Sequence, residues 1–259
     1  MEEKKINISG LSVNYKTLGE GKPVLILHGW GGKSDSWVEV GKLLAQDNFK
    51  VTIPDLPGFG KSGEPKKPWT IGDYLEFTES FIDKLGLGAF HLIGHSFGGG
   101  ISVMYAAKDH RMVRSLILCD SAVIRKERLD WRQSYAKKMA LAKKFFINLP
   151  LFDKILPFGQ KIVYRIAGVR DYHMASPVMK ETFSNIIKED LQKYATQIAV
   201  PTLIVWGDKD KSTPIEDAYT LQHLIPGASL KVIEGAGHNP HRQAPVILAD
   251  NLSVFIKTR

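Results

Sequence analysis

Ser96 stands in Leu92-Ile93-Gly94-His95-Ser96-Phe97-Gly98-Gly99, a G-x-S-x-G directly after an apolar run and directly before a helix-length segment. The bare pattern is weak in a chain with 23 glycines. Its place between strand and helix gives it meaning. A serine on such a turn takes a strained backbone and lifts its hydroxyl above the sheet, and Gly94 and Gly98 allow the close approach. The helix N-terminus beneath favours developing negative charge. A turn built for phosphate would want G-x-G-x-x-G or a following Lys, and neither is present.

A neutral serine needs a base, and the base needs an orienting acid. Both are expected downstream, at strand ends on the same sheet edge, in the order Ser, acid, His. The apolar run Thr202–Trp206 leads into Gly207-Asp208-Lys209-Asp210, which offers two carboxylates. Leu230–Ile233 leads into Glu234-Gly235-Ala236-Gly237-His238, with His241 three residues on. The chemistry would be acyl transfer, whose oxyanion requires preset donors. The Phe97 N–H, next after the nucleophile, is one.

Together with Leu27-His28-Gly29-Trp30-Gly31-Gly32, Asp55–Ser62, Trp206–Pro214 and Gly237-His238, these motifs resemble, in order, the α/β-hydrolase family, and the likeness covers nearly the whole chain. The resemblance implies that Asp210, three residues after the glycine in W-G-x-x-D, is the acid, with Asp208 a turn residue. It implies that His238 is the base and Trp30 N–H the second oxyanion donor, and that Asp55–Ser62 is structural. His241 is expected to face the cap or solvent. Trp37, His91, His95 and Asp120 are read as packing or capping residues.

The elements needed to hold these residues are legible as alternation. Lys4–Ile8 and Leu11–Tyr15 read as a hairpin around Ser9-Gly10. Pro23–Leu27, Val51–Ile53, Phe90–Ile93, Val113–Leu118, Thr202–Trp206 and Leu230–Ile233 read as strands buried on both faces. Helices are predicted over Asp35–Gln46, Ile71–Leu85, Gly98–Asp109, Ile215–Leu224 and Pro245–Ile256. The fold class is α/β, an α/β-hydrolase fold: a mostly parallel sheet with helices on both faces. The alternation breaks across 122–199, a helical, proline-interrupted stretch that resembles the family's cap. The expected division is therefore core 1–121, cap 122–199 and core 200–259.

The chain has 259 residues and a net charge of +8, enough length for one large domain with an insertion. The excess charge sits in the cap, where 122–200 carries 15 Lys+Arg against 7 Asp+Glu. Leu129–Leu149 is predicted as a basic helix with Trp131, Tyr135, Met139 and Phe146 near one face. Such a helix can be a solvated surface, attract anionic substrates, or make weak interfacial contact with lipid. Nucleic acid is not an expected partner, since no motif accompanies the charge. The lone Cys119 allows no disulfide and no cysteine-rich zinc site. No metal and no cofactor are expected. Met1–Gly10 lacks the apolar core of a secretory signal, and no apolar run reaches a membrane span of about 18 residues, so the expected location is the cytoplasm.

The expected function is a serine hydrolase, a carboxylesterase acting on a partly apolar small-molecule ester or acyl substrate. Its serine argues against the epoxide hydrolases and haloalkane dehalogenases of the family, which use Asp. Carbon–carbon hydrolases of meta-cleavage products share the triad but typically carry Asn before the nucleophile and Trp after the histidine, where His95 and Asn239 stand here. A cofactor-free perhydrolase or a weakly hydrolytic ligand receptor of the same fold would also be compatible with these residues.

Overall fold

The computed structural model describes residues 1–108, 111–125 and 175–259. Eight strands form one sheet: β1 (Glu2–Ile8), β2 (Leu11–Leu18), β3 (Lys22–Leu27), β4 (Phe49–Pro54), β5 (Phe90–His95), β6 (Val113–Cys119), β7 (Thr202–Gly207) and β8 (Ser229–Ile233). Their order is β1-β2-β4-β3-β5-β6-β7-β8. The β1–β2 and β2–β4 pairs are antiparallel, and β4 through β8 run parallel. The opening hairpin turns at Ser9 and Gly10, with φ of 49° and 85°. Two successive left-handed residues are what a tight two-residue hairpin requires.

The continuous apolar runs follow from helices on both faces. In β3, Leu25 and Leu27 point into one core cluster, Val24 and Ile26 into the other. Residues 116–119 of β6 and 203–206 of β7 divide the same way. A strand covered on both sides cannot show alternation, since both sets of side chains are apolar. On one face lie α2 (Ile71–Leu85), α3 (Phe97–Lys108) and α6 (Ile215–Leu224); on the other lie α1 (Val38–Gln46) and α8 (Pro245–Lys257). Short helices α5 (Gln192–Ala195) and α7 (Pro240–Gln243) and the ten-residue α4 (Pro177–Ile186) complete the described α-helices. Helix α2 starts at a reciprocal cap, where Thr70 and Asp73 each accept the other's backbone N–H, and it ends at the left-handed Gly86.

One strand departs from expectation. The apolar run Leu230–Ile233 predicts burial on both faces, yet β8 is the sheet's edge, and Val232 is 41% exposed while Ile233 is buried. An edge strand has one neighbour, and here only Leu230 and Ile233 pack on the two cores. The expected cap helix Leu129–Leu149 lies outside the described residues. Among these, α4 packs back on the core: Thr182 Oγ1 accepts the Trp69 N–H at 2.9 Å. No described helix is long and apolar enough to cross a membrane.

Parallel strands in one sheet deliver their C-terminal ends to one edge, where open α/β sheets gather their ligand-binding residues. Ser96 follows β5, Asp120 follows β6, Asp210 lies beyond β7 and His238 beyond β8. Four residues distant in sequence therefore meet at one rim.

Candidate active site

Ser96 links β5 directly to α3 with a φ of 50°. For a residue with a Cβ, this left-handed geometry costs about 1–2 kcal/mol. Its own backbone groups hold it there: the N–H donates to Cys119 O at 3.1 Å, and its carbonyl accepts from Gly99, Gly100 and Ala122. Gly94 is the penultimate residue of β5, its carbonyl accepting from Ser121 Oγ at 3.1 Å. Gly98 must be glycine because a Cβ there would run into the backbone carbonyls of Leu27 and His28. That contact seats the N-terminus of α3 against the end of β3.

His238 bridges the other two groups. Its Nε2 lies 3.0 Å from Ser96 Oγ and its Nδ1 2.7 Å from Asp210 Oδ2. With Nδ1–H given to the carboxylate, Nε2 is left free to accept from the serine hydroxyl. The Asp210 side chain is fully buried, while His238 is partly exposed. Four donors converge on Asp210: the Ser212 and Thr213 N–H groups on Oδ1 at 2.6 and 3.0 Å, and Thr213 Oγ1 and His238 Nδ1 on Oδ2 at 2.6 and 2.7 Å. Burial works to raise the Asp210 carboxyl, but its bond to His238 and the other donors outweigh it and hold the group below its ordinary value. Asp208, its rival two residues earlier, is a turn residue: Oδ1 accepts the Gly235 N–H at 2.6 Å and Oδ2 pairs with Lys209.

The His28-Gly29-Trp30 loop lies against the elbow. A Cβ on Gly29 would come to 3.0 Å from the Ser96 Cβ and 2.8 Å from His95 Nδ1. His28 is buried and neutral in character, donating Nδ1–H to Gly29 O while Nε2 accepts the Leu56 N–H; burial keeps its pKa below the usual value. The N–H groups of Trp30 and Phe97 donate to no backbone carbonyl among the described residues. The Trp30 ring meets Phe59 and Phe97 edge-on at 4.8 and 5.7 Å, and Phe183 of α4 at 5.0 Å. An aromatic wall therefore stands beside the serine. The loop Asp55–Ser62 is structural, as expected: Asp55 accepts the Ser34 and Lys61 N–H groups and Asn14 Nδ2.

His241 corrects an expectation. It is not solvated but buried, stacked on Trp37 at 4.5 Å and 6° and edge-on to His95 at 4.6 Å. Pro240 begins a four-residue helix that turns the ring inward. Burial pushes His241 down to about 3.

The sequence profile of the α/β hydrolase fold matches residues 22–155 and 176–245. The chain belongs to the α/β-hydrolase fold family. It is a hydrolase of that fold. Lipase 1 of Psychrobacter immobilis is 30% identical to it, over 98% of this chain and 84% of that protein. A 2-hydroxymuconate semialdehyde hydrolase of Pseudomonas putida is 27% identical over 91% and 87%. Among solved structures, a serine hydrolase involved in carbazole degradation superposes with a TM-score of 0.75 at 25% identity, covering 100% of this chain and 99% of that one.

In this α/β hydrolase the structure brings together all the site residues legible in the sequence: Ser96, Asp210 and His238 in hydrogen-bonding distance, Gly94, His95 and Gly98 at the elbow, and Trp30 and Phe97 beside it. Two neighbours join them that the sequence does not mark as part of the site. Thr213 places its hydroxyl on Asp210, and Asp120 lies buried at the end of β6. Asp120 carries a readable signal: a carboxylate ending an apolar run at the same rim as Ser96.

Proposed function

We propose that this α/β hydrolase cleaves carboxylic esters through an acyl-enzyme on Ser96. The reading rests on one observation, His238 within hydrogen-bonding distance of Ser96 Oγ on one ring nitrogen and Asp210 on the other. His238 Nε2 takes the serine proton as Oγ attacks the ester carbonyl, then passes it to the departing alkoxide. Asp210 keeps the proton on Nδ1 and stabilises the imidazolium. Water then attacks the acyl-enzyme, with His238 again the base. The Phe97 and Trp30 N–H groups serve the tetrahedral oxyanion, a donor of this kind contributing about 2.7–4 kcal/mol. The aromatic wall of Trp30, Phe59, Phe97 and Phe183 suits an acyl group that is partly apolar, and the similarity to Lipase 1 agrees with that substrate class.

The second reading is a carbon–carbon hydrolase of meta-cleavage products. The likeness to the 2-hydroxymuconate semialdehyde hydrolase favours it. The His95 and Asn239 positions count against it.

A panel of p-nitrophenyl esters of rising chain length tests the proposal. Wild type should turn them over, and Ser96→Ala should lower kcat by about 10⁴-fold or more. Equal rates in the two proteins would end the esterase reading. Fluorophosphonate labelling of Ser96 without turnover would favour a receptor, and loss of a meta-cleavage product's colour with esters ignored would favour the carbon–carbon hydrolase.

A further inference from the structure

Asp120 immediately follows β6 and is completely buried. Its N–H donates to Val205 O at 3.1 Å, and its Oδ1 accepts the Gly207 N–H at 3.0 Å. Its other oxygen, Oδ2, is buried and accepts no hydrogen bond. A carboxyl and an imidazole stand close by: one ligating atom each from Asp120, Asp210 and His238 lie within 4.8 Å of one another. Asp210 is committed as an anion, with four donors on its two oxygens. Asp120 has one. Two ionised carboxylates this close, both out of water, would repel strongly, so the buried pair must hold a proton. The donor count places that proton on Asp120, and the orphaned Oδ2 is the atom that can carry it.

We propose that Asp120 is kept as a neutral carboxylic acid whose Oδ2–H donates to the Asp210 carboxylate, making it a positioning residue that steadies Asp210 beneath His238. Its contribution to turnover rests on the esterase reading above. Burial pushes the Asp120 carboxyl up to about 8, the Gly207 N–H opposing and the neighbouring Asp210 reinforcing the rise. The titratable groups around it are Asp210 from the β7 loop, His238 from the β8 loop and Cys119, which precedes it on its own strand; His95 of β5 lies one step further, paired with Cys119 across the sheet. His95 and Cys119 are held uncharged by burial. Above about pH 8 the hydrogen-bond donor becomes a second anion facing Asp210.

Carboxyl carbon NMR of aspartate-labelled protein reads this without any substrate. One aspartate should be protonated at pH 7, titrate near pH 8, and vanish from the spectrum of Asp120→Asn. The asparagine preserves both contacts, its oxygen for Gly207 and its amide for Asp210. It should cost less than about 10-fold in kcat while removing an alkaline transition near pH 8 from the wild-type rate profile. Asp120→Leu, checked for folding by circular dichroism, lacks the donor and should lose more kcat than Asp120→Asn. A wild-type spectrum with every aspartate ionised at pH 7 would overturn the proposal. So would an alkaline transition shared unchanged by wild type and Asp120→Asn. An inactive wild type that still shows the protonated Asp120 would defeat the esterase reading and leave the hydrogen bond standing.

Discussion

His95 donates its Nε2–H to the backbone carbonyl of His238 at 2.7 Å. The residue just before the proposed nucleophile thus holds the loop that carries the proposed base. Burial, together with His241 and His238, keeps His95 well below its ordinary pKa, so it stays a neutral single-tautomer donor. The bond sets where the imidazole sits without touching the reacting atoms. His95→Leu should therefore lower kcat by about 5–10-fold with KM little changed, the scale of one lost buried hydrogen bond. His95→Gln, which can still donate, should recover part of it. Steady-state kinetics on one ester decide the matter, and equal kcat for Leu and wild type would show that the tie does not position His238.

The left-handed backbone of Ser96 has a separate consequence. An L side chain at φ 50° is strained, whereas glycine adopts that conformation freely. Both Ser96→Ala and Ser96→Gly should abolish ester turnover. The glycine protein should be more stable than the alanine protein by about 1 kcal/mol, despite glycine's larger entropy in the unfolded chain. Urea denaturation measures the difference. An alanine protein as stable as the glycine one would mean the elbow stores no strain.

Asp210 and Asp208 lie on one turn, and their environments predict opposite outcomes. Asp210→Asn keeps the shape but leaves His238 without a carboxylate partner, and comparable substitutions cost about 10⁴-fold in kcat. Asp208→Asn touches only Gly235 and Lys209, so kcat should stay within about twofold, since an exposed contact of this kind is worth little. Parallel kinetic runs on the two variants discriminate. A severe loss in Asp208→Asn, with Asp210→Asn active, would move the acid to the other carboxylate.

That pair also shows where the sequence is informative. Ser96 can be found from its residues alone, because a G-x-S-x-G between a buried strand and a helix is a local pattern. Spacing does not separate Asp208 from Asp210; the family resemblance does, and the reason lies in the Ser212 and Thr213 N–H groups that close on Asp210. The strands of the parallel core are legible because two-sided burial writes uninterrupted apolar runs. The edge position of β8 is not, since strand order is a property of the whole sheet. Nor is the burial of His241, whose stacking partner, Trp37, belongs to the first third of the chain.

The buried histidines should make the protein acid-sensitive. His241 is held down to about 3 and His91 to about 4, chiefly by burial, and His28 and His95 are lowered for the same reason. In the unfolded chain each titrates near its ordinary value of about 6.5. Between these limits the unfolded chain binds protons that the folded chain refuses, so stability is full above about pH 6.5 and falls as pH drops towards 3. Asp120 acts with the opposite sign. Its folded-state pKa is raised to about 8, so its contribution is present below about pH 4 and fades as pH rises through 8. His241→Phe isolates the histidine effect: a phenyl ring can keep the stack on Trp37, cannot take a proton, and leaves no partner stranded at the unpaired Nδ1. The drop in melting temperature between pH 7 and pH 5 should be smaller in His241→Phe than in wild type. An identical drop in both would show that His241 does not contribute to the acid limb.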